Sequence, residues 1–157
     1  MKPKEIEKEI YSNFAEIAST IGYSEIHGRI IGALLVKGRP ISLQELSKEI
    51  GYSFSTVSPS LDLLEMLGMI KKVKKAGDRN LYVKLEGDLL DGLKNALTIK
   101  IQKIVTDSLD RFQLYHKELK KSKNGEKKEV IRTLKVLEKE IKRVNKYIKI
   151  LSKVRLR

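Results

Sequence analysis

Two short stretches hold most of the side chains that could do chemistry. The run Ser53-Phe54-Ser55-Thr56-Val57-Ser58-Pro59-Ser60 carries five hydroxyls in eight residues. Grouped hydroxyls can donate to phosphate oxygens or base edges of nucleic acid, or can simply cap a helix and meet solvent. Residues 71–84 contain Lys71, Lys72, Lys74, Lys75, Arg79 and Lys84 against the single acid Asp78. Cations so placed can neutralise phosphates, an interaction that makes binding steeply salt-dependent. Other chemistries lack their residues. Cysteine is absent, which excludes disulfides, thiolate metal sites and thiol nucleophiles. His27 and His116 are far apart and belong to no metal-binding His-Glu-x-x-His pattern, and no phosphate-loop or dinucleotide glycine pattern occurs. We expect no catalytic residues, no metal and no cofactor; the chain does not read as an enzyme.

The elements around these stretches follow from periodicity. Ile6, Ile10, Phe14, Ile17 and Ile21 recur at steps of four, four, three and four, one face of an amphipathic helix. Ser24 opens a second helix with Ile26, Ile30, Ala33 and Leu34 inward, ending near Lys37-Gly38, and Arg39-Pro40-Ile41 reads as an extended connector. Gly28 and Gly32 on this helix permit close packing. Ser42-Leu43-Gln44-Glu45 has the form of a reciprocal capping box, so a short helix starts there and Gly51 ends it. The next helix runs from Ser53 or Ser55 to Leu67. With Val57, Leu61 and Leu64 inward, a 100° step puts Ser55 and Pro59 outward and Thr56 and Ser58 at the edges of that face. Met69 to Val73 and Leu81 to Leu85 then flank a basic tip as a hairpin. Helix-turn-helix followed at once by a basic hairpin is the order of parts in a winged helix.

The stretch from Ile50 to Leu61, continuing Leu64-Glu65-Met66-Leu67-Gly68-Met69-Ile70, resembles the recognition segment of MarR-like regulators, nearest the GbsR-type repressors. Gly77-Asp78-Arg79 followed by Leu81-Tyr82-Val83 matches their Gly-x-Arg wing, and the resemblance covers roughly residues 25–90. It implies a dimeric winged-helix repressor with a recognition helix in the major groove and a wing at the minor groove. On that reading Ser53, Ser55, Thr56, Ser58, Pro59 and Ser60 contact double-stranded DNA. Arg79 probes the minor groove, Lys72, Lys74 and Lys75 meet phosphates, and Asp78 orients Arg79. Hydroxyls rather than arginines on the helix imply modest base specificity, with DNA shape contributing. Pro59 departs from a regular helix, a cost of up to ~3 kcal/mol in a helix interior; were Ser55 the N-cap, it would fall nearer the start. Choline sensing, attributed to some GbsR-type relatives, suggests a small-molecule effector pocket, with Tyr11, Tyr23, Tyr52 and Tyr82 as candidates and ordinary packing as the plainer role.

After Gly87, Leu89, Leu93, Leu97, Ile101, Ile104 and Phe112 mark a long helix, broken at Lys123-Asn124-Gly125. Val130, Leu134, Leu137, Ile141, Val144, Ile148 and Leu151 then form an unbroken 4-3-4-3-4-3 seam of coiled-coil type. Such a seam calls for a partner, most simply a second copy, so these residues together with Ile6, Ile10 and Phe14 are the expected homodimer interface. The net charge of +13 is mostly C-terminal: residues 117–157 hold 16 Lys+Arg against 5 Asp+Glu. Spread around an apolar seam, those lysines read as the solvated face of a dimer helix. The expected fold is mainly α with a small β-hairpin wing, a winged helix-turn-helix domain over 1–86 and a helical dimerisation region over 87–157. The longest apolar run, Ile30 to Val36, is too short to span a membrane, so a cytoplasmic protein with no membrane partner is expected. The expected function is a transcriptional regulator, with an interaction adaptor or a non-specific chromatin-binding protein as the alternatives.

Overall fold

The computed structural model describes residues 1–123 and 125–155. Asn124, within the predicted break Lys123-Asn124-Gly125, lies outside the described residues, as do Leu156 and Arg157. The chain divides into one unit over Met1–Leu93 and a second from Lys94 onward.

The first unit opens with α1 (Pro3–Thr20) and α2 (Glu25–Lys37). The stripe expected on α1 is not the face that their packing buries. Tyr11, Ala15 and Ala18 are buried, whereas Ile6 and Ile17 are exposed and Ile10 and Phe14 only half-buried. The reason is the pair Gly28 and Gly32 on α2. A Cβ on Gly28 would fall on the Phe14 carbonyl, and one on Gly32 would sit 3.4 Å from the Tyr11 Cα. The two backbones therefore meet at the glycines of α2, and Ile6 and Ile17 are turned away. Tyr11 donates its hydroxyl to Glu49 Oε1 at 2.8 Å. Burial, and after it the Glu49 carboxylate, hold the phenol well above its ordinary pKa. His27 has a structural role: its Nδ1 accepts the Ser24 amide at 3.1 Å and so caps α2.

Arg39-Pro40-Ile41 leads into a third strand rather than a mere connector. β1 (Ile41–Ser42) pairs antiparallel with β3 (Leu81–Leu85), which pairs in turn with β2 (Ile70–Lys74), giving the order β1-β3-β2. Between β1 and β2 lie α3 (Leu43–Ile50) and α4 (Phe54–Met66). Ser42 accepts the Glu45 amide at 3.1 Å, half of the expected capping box. The other half is replaced, because the Glu45 carboxylate turns to Arg39, at 2.6 and 3.1 Å. That bidentate pair holds the Glu45 carboxyl below its usual range. Gly51, at φ 76°, makes the left-handed turn that joins α3 to α4. Ile30, Leu34, Ile41, Leu46, Val57, Leu61, Ile70 and Val83 are fully buried, so α2, α3, α4 and the sheet share one core. This is a winged helix-turn-helix.

Two long helices follow, α5 (Leu89–Lys121) and α6 (Lys127–Leu151). α5 starts in the first unit, where Gly92 is buried beside Met69. Within the second unit, His116 Nε2 lies 2.7 Å from Glu138 Oε1 and Lys94 Nζ donates to the Val154 carbonyl at 2.6 Å. These contacts join α5 to α6 and to the residues just after it. The expected seam on α6 is split by this packing. Leu134 is buried and Ile141 and Ile148 half-buried, while Val130, Leu137, Val144 and Leu151 remain exposed. Alternate seam positions form the two edges of one stripe, about 40 to 60° apart, and only one edge is covered by the chain itself. Among the described residues no helix is long and apolar enough to cross a membrane.

Candidate nucleic-acid interface

The hydroxyl stretch forms the first two turns of α4. Ser53 is the N-cap, in extended conformation, which settles the start of the helix at Phe54. Its hydroxyl does not cap an amide; it lies 3.0 Å from Ser55 Oγ and 2.9 Å from Thr56 Oγ1. The three hydroxyls thus form a connected group at the positive end of the helix, and no acid occupies the first turn. Ser53, Phe54, Ser55, Thr56, Ser58 and Pro59 are exposed. Pro59, six residues past the cap, lies inside the helix. Its missing amide leaves the Ser55 carbonyl without its regular helical donor, at an exposed position where water can supply one.

Ser60 is a correction. It is buried beside Val57 and Leu61, and its hydroxyl donates back to the Thr56 carbonyl at 3.1 Å. The hydroxyl is used up within the helix and does not belong to the outward face.

On the hairpin, Lys71 pairs with Lys84 and Val73 with Tyr82, and residues 75–80 form the loop. Lys74, Lys75 and Arg79 are exposed there. Lys72 is a second correction. Half-buried, its ammonium pairs with Asp62 and reaches Glu65 at 4.0 Å, while its amide donates to Glu65 Oε2 at 3.1 Å. Lys72 therefore fastens the root of the wing to α4 instead of standing free toward a phosphate. Asp78 is a third. Its carboxylate accepts the Asn80 amide at 2.9 Å and the Tyr82 hydroxyl at 2.8 Å, which shapes the loop and does not orient Arg79. The Asn80 amide first and the Tyr82 hydroxyl second hold the Asp78 carboxyl below its usual range. Tyr82 is shifted upward by the same bond, and Lys75 Nζ sits 4.1 Å from the centre of its ring.

Sequence reasoning therefore missed Tyr82 as the residue that organises the wing and Phe54 as a large exposed side chain at the first position of α4. The other tyrosines do not join Tyr82 in a pocket: Tyr11 bonds Glu49, Tyr23 meets His27 edge-on at 6.1 Å and Tyr52 packs against the core. No group of three or more metal-ligating side chains occurs among the described residues.

No protein-family model matches the chain, and no curated protein matches its sequence. Solved structures do. A crystallised transcriptional regulator superposes with a TM-score of 0.63 at 17% identity, covering 94% of this chain and 95% of that one. A protein from the thermoacidophilic archaeon Sulfolobus tokodaii gives 0.45 at 20% identity, over 66% and 95% of the two chains. A multiple antibiotic-resistance repressor (MarR) from Listeria monocytogenes gives 0.41 at 22% identity, over 86% of each. The first superposition, nearly complete for both chains, establishes a shared fold.

Proposed function

We propose that this chain is a double-stranded DNA-binding transcriptional regulator of the MarR-like, GbsR-type kind, a repressor that acts as a homodimer. The observation that carries the reading is the exposed, acid-free start of α4, where Ser53, Ser55, Thr56 and Ser58 stand clear of the core. Hydroxyls on a helix N-terminus suit phosphates and several base edges. The fastening of α4 to the wing by Lys72, Asp62 and Glu65 supports it, since a recognition helix and a wing must be held in register to engage two grooves. Arg79 is the minor-groove probe, and Lys74 and Lys75 meet phosphates. The second copy covers the apolar row Val130, Leu137, Val144 and Leu151, and the exposed isoleucines of α1 join that interface.

The test is a fluorescence titration against duplex fragments of the source genome at two salt concentrations. Arg79→Ala and Lys74→Ala/Lys75→Ala weaken binding, and Lys74→Ala/Lys75→Ala also lowers the salt dependence. Undiminished binding by both variants removes the wing from the mechanism, and binding to no fragment by the wild type removes the function. Light scattering gives twice the chain mass if the dimer is right.

A further inference from the structure

The basic charge of α6 is ordered. Lys128, Arg132, Lys135, Lys139, Lys142, Lys146 and Lys149 follow one another at steps of 4-3-4-3-4-3, and every one is exposed. At 100° per residue these steps keep all seven within a strip roughly 100° wide, and at ~1.5 Å per residue the strip is ~32 Å long. Carboxylates do not neutralise it. Glu140 is held by Arg143 at 3.0 Å and Glu138 by His116 at 2.7 Å, and none of the seven takes part in an ion pair among the described residues.

Such an arrangement works against the helix in isolation, because like charges three and four residues apart repel. A linear polyanion converts that repulsion into attraction. We infer that the lysine strip of α6 is a second DNA-binding surface, one that takes the phosphate backbone of a duplex without reading its sequence. Charge and length together favour a duplex: laid along B-DNA, a straight strip of ~32 Å spans close to one ~34 Å helical repeat, so its cations meet phosphates where the two strands cross beneath it. A lipid surface fits less well. The exposed apolar row Val130, Leu137, Val144 lies on the side of α6 opposite the strip, so a membrane that took up one would leave the other unbound. The inference rests on the DNA-binding reading above, to which it adds a contact surface outside the winged helix.

The experiment uses the full chain, a labelled 30-base-pair duplex of arbitrary sequence and a salt series. Lys135→Gln/Lys139→Gln/Lys142→Gln/Lys146→Gln lowers the slope of log affinity against log salt by about 3 to 4, at ~0.9 per phosphate contact. The same four positions changed to Arg leave it unchanged. In the unaltered protein the duplex protects these lysines from acetylation. If the Gln variant keeps the wild-type slope, or the lysines stay open to acetylation, the strip is solvated and the inference falls, while loss of binding in the Arg79→Ala variant still upholds the winged-helix reading. If the wild type does not bind the arbitrary duplex, the inference falls, while the titration against genomic fragments decides the winged-helix reading separately. Vesicles containing phosphatidylserine form the last arm: capture of the wild type but not of the Gln variant, with an unchanged duplex slope, assigns the strip to lipid and overturns the proposal.

Discussion

Between Met1 and Leu93 the chain encloses a core drawn from α1, α2, α3, α4 and the sheet, with Ile30, Leu46, Leu61 and Val83 out of reach of solvent. From Lys94 onward the buried apolar side chains among the described residues are Ala96, Val105 and Leu134, while Ile104, Leu137, Val144 and Ile150 are among the many left exposed. The first unit has a filled core of its own, although Ile6, Ile17, Leu35 and Phe54 stay exposed on its surface. The second leaves most of its large apolar side chains exposed, and these are what the proposed second copy would cover. Under the proposed function the difference separates two tasks: the first unit presents groups whose geometry is fixed before DNA arrives, and the second finishes folding by association with its copy.

Five changes test this contrast and the site. The largest effect is expected from Leu61→Ala, which opens a cavity in the completed core; chemical denaturation gives a loss of about 2 to 5 kcal/mol at every protein concentration. Next is Leu137→Ala in the second unit, which leaves the single chain little changed. It weakens the dimer twice over by symmetry, roughly 2 to 4 kcal/mol per dimer, so its melting temperature falls more at low concentration than at high. A concentration-independent loss there would break the contrast.

Smaller still is Tyr82→Phe, which removes one donor from Asp78; DNA affinity falls a few-fold with the salt slope unchanged. The pH dependence has a definite sign. Because the folded-state pKa of Asp78 lies below its ordinary 3.8, the contribution of the ionised carboxylate is fully present above that value and is lost as pH falls through the folded pKa. In the wild type, the Asn80 amide resonance therefore moves only below the ordinary aspartate range, and in Tyr82→Phe it moves at a higher pH. The smallest effect is that of Ser60→Ala: its hydroxyl serves only the Thr56 carbonyl, so DNA affinity stays within error of wild type and stability changes by no more than about 1 kcal/mol. Ser55→Ala, two hydroxyls away on the outer face, weakens binding. Equal losses in the two would return Ser60 to the interface.

Much of the site was legible because its signals are local. The serine run, the glycine turn and the lysine-rich hairpin need only neighbours within four residues to be recognised, and the structure leaves Ser53, Ser55, Thr56, Ser58, Lys74, Lys75 and Arg79 exposed. Ser60, Lys72 and Asp78 were misread because each is claimed by a partner that residue type alone does not single out: a helix carbonyl, a carboxylate ten residues away, a tyrosine across the loop. Tyr82 could have been suspected from its place in a strand between Leu81 and Val83, where alternation turns it to the other face. The lysine strip of α6 was present in the spacing all along, beside an apolar seam of the same period.

The sequence determined the order and approximate bounds of the helices and of the hairpin, since periodicity, caps and glycines act over one or two turns of backbone; it did not reveal β1, which exists only by pairing with β3. It determined the charge of each segment as well. Only the tertiary structure decided which of two adjacent stripes is buried, as on α1, where Gly28 and Gly32 draw the Tyr11, Ala15 and Ala18 face inward, and on α6, where part of the apolar seam is covered and part is left exposed. That choice turns on how closely two backbones can approach, a property of pairs of elements that no single segment contains.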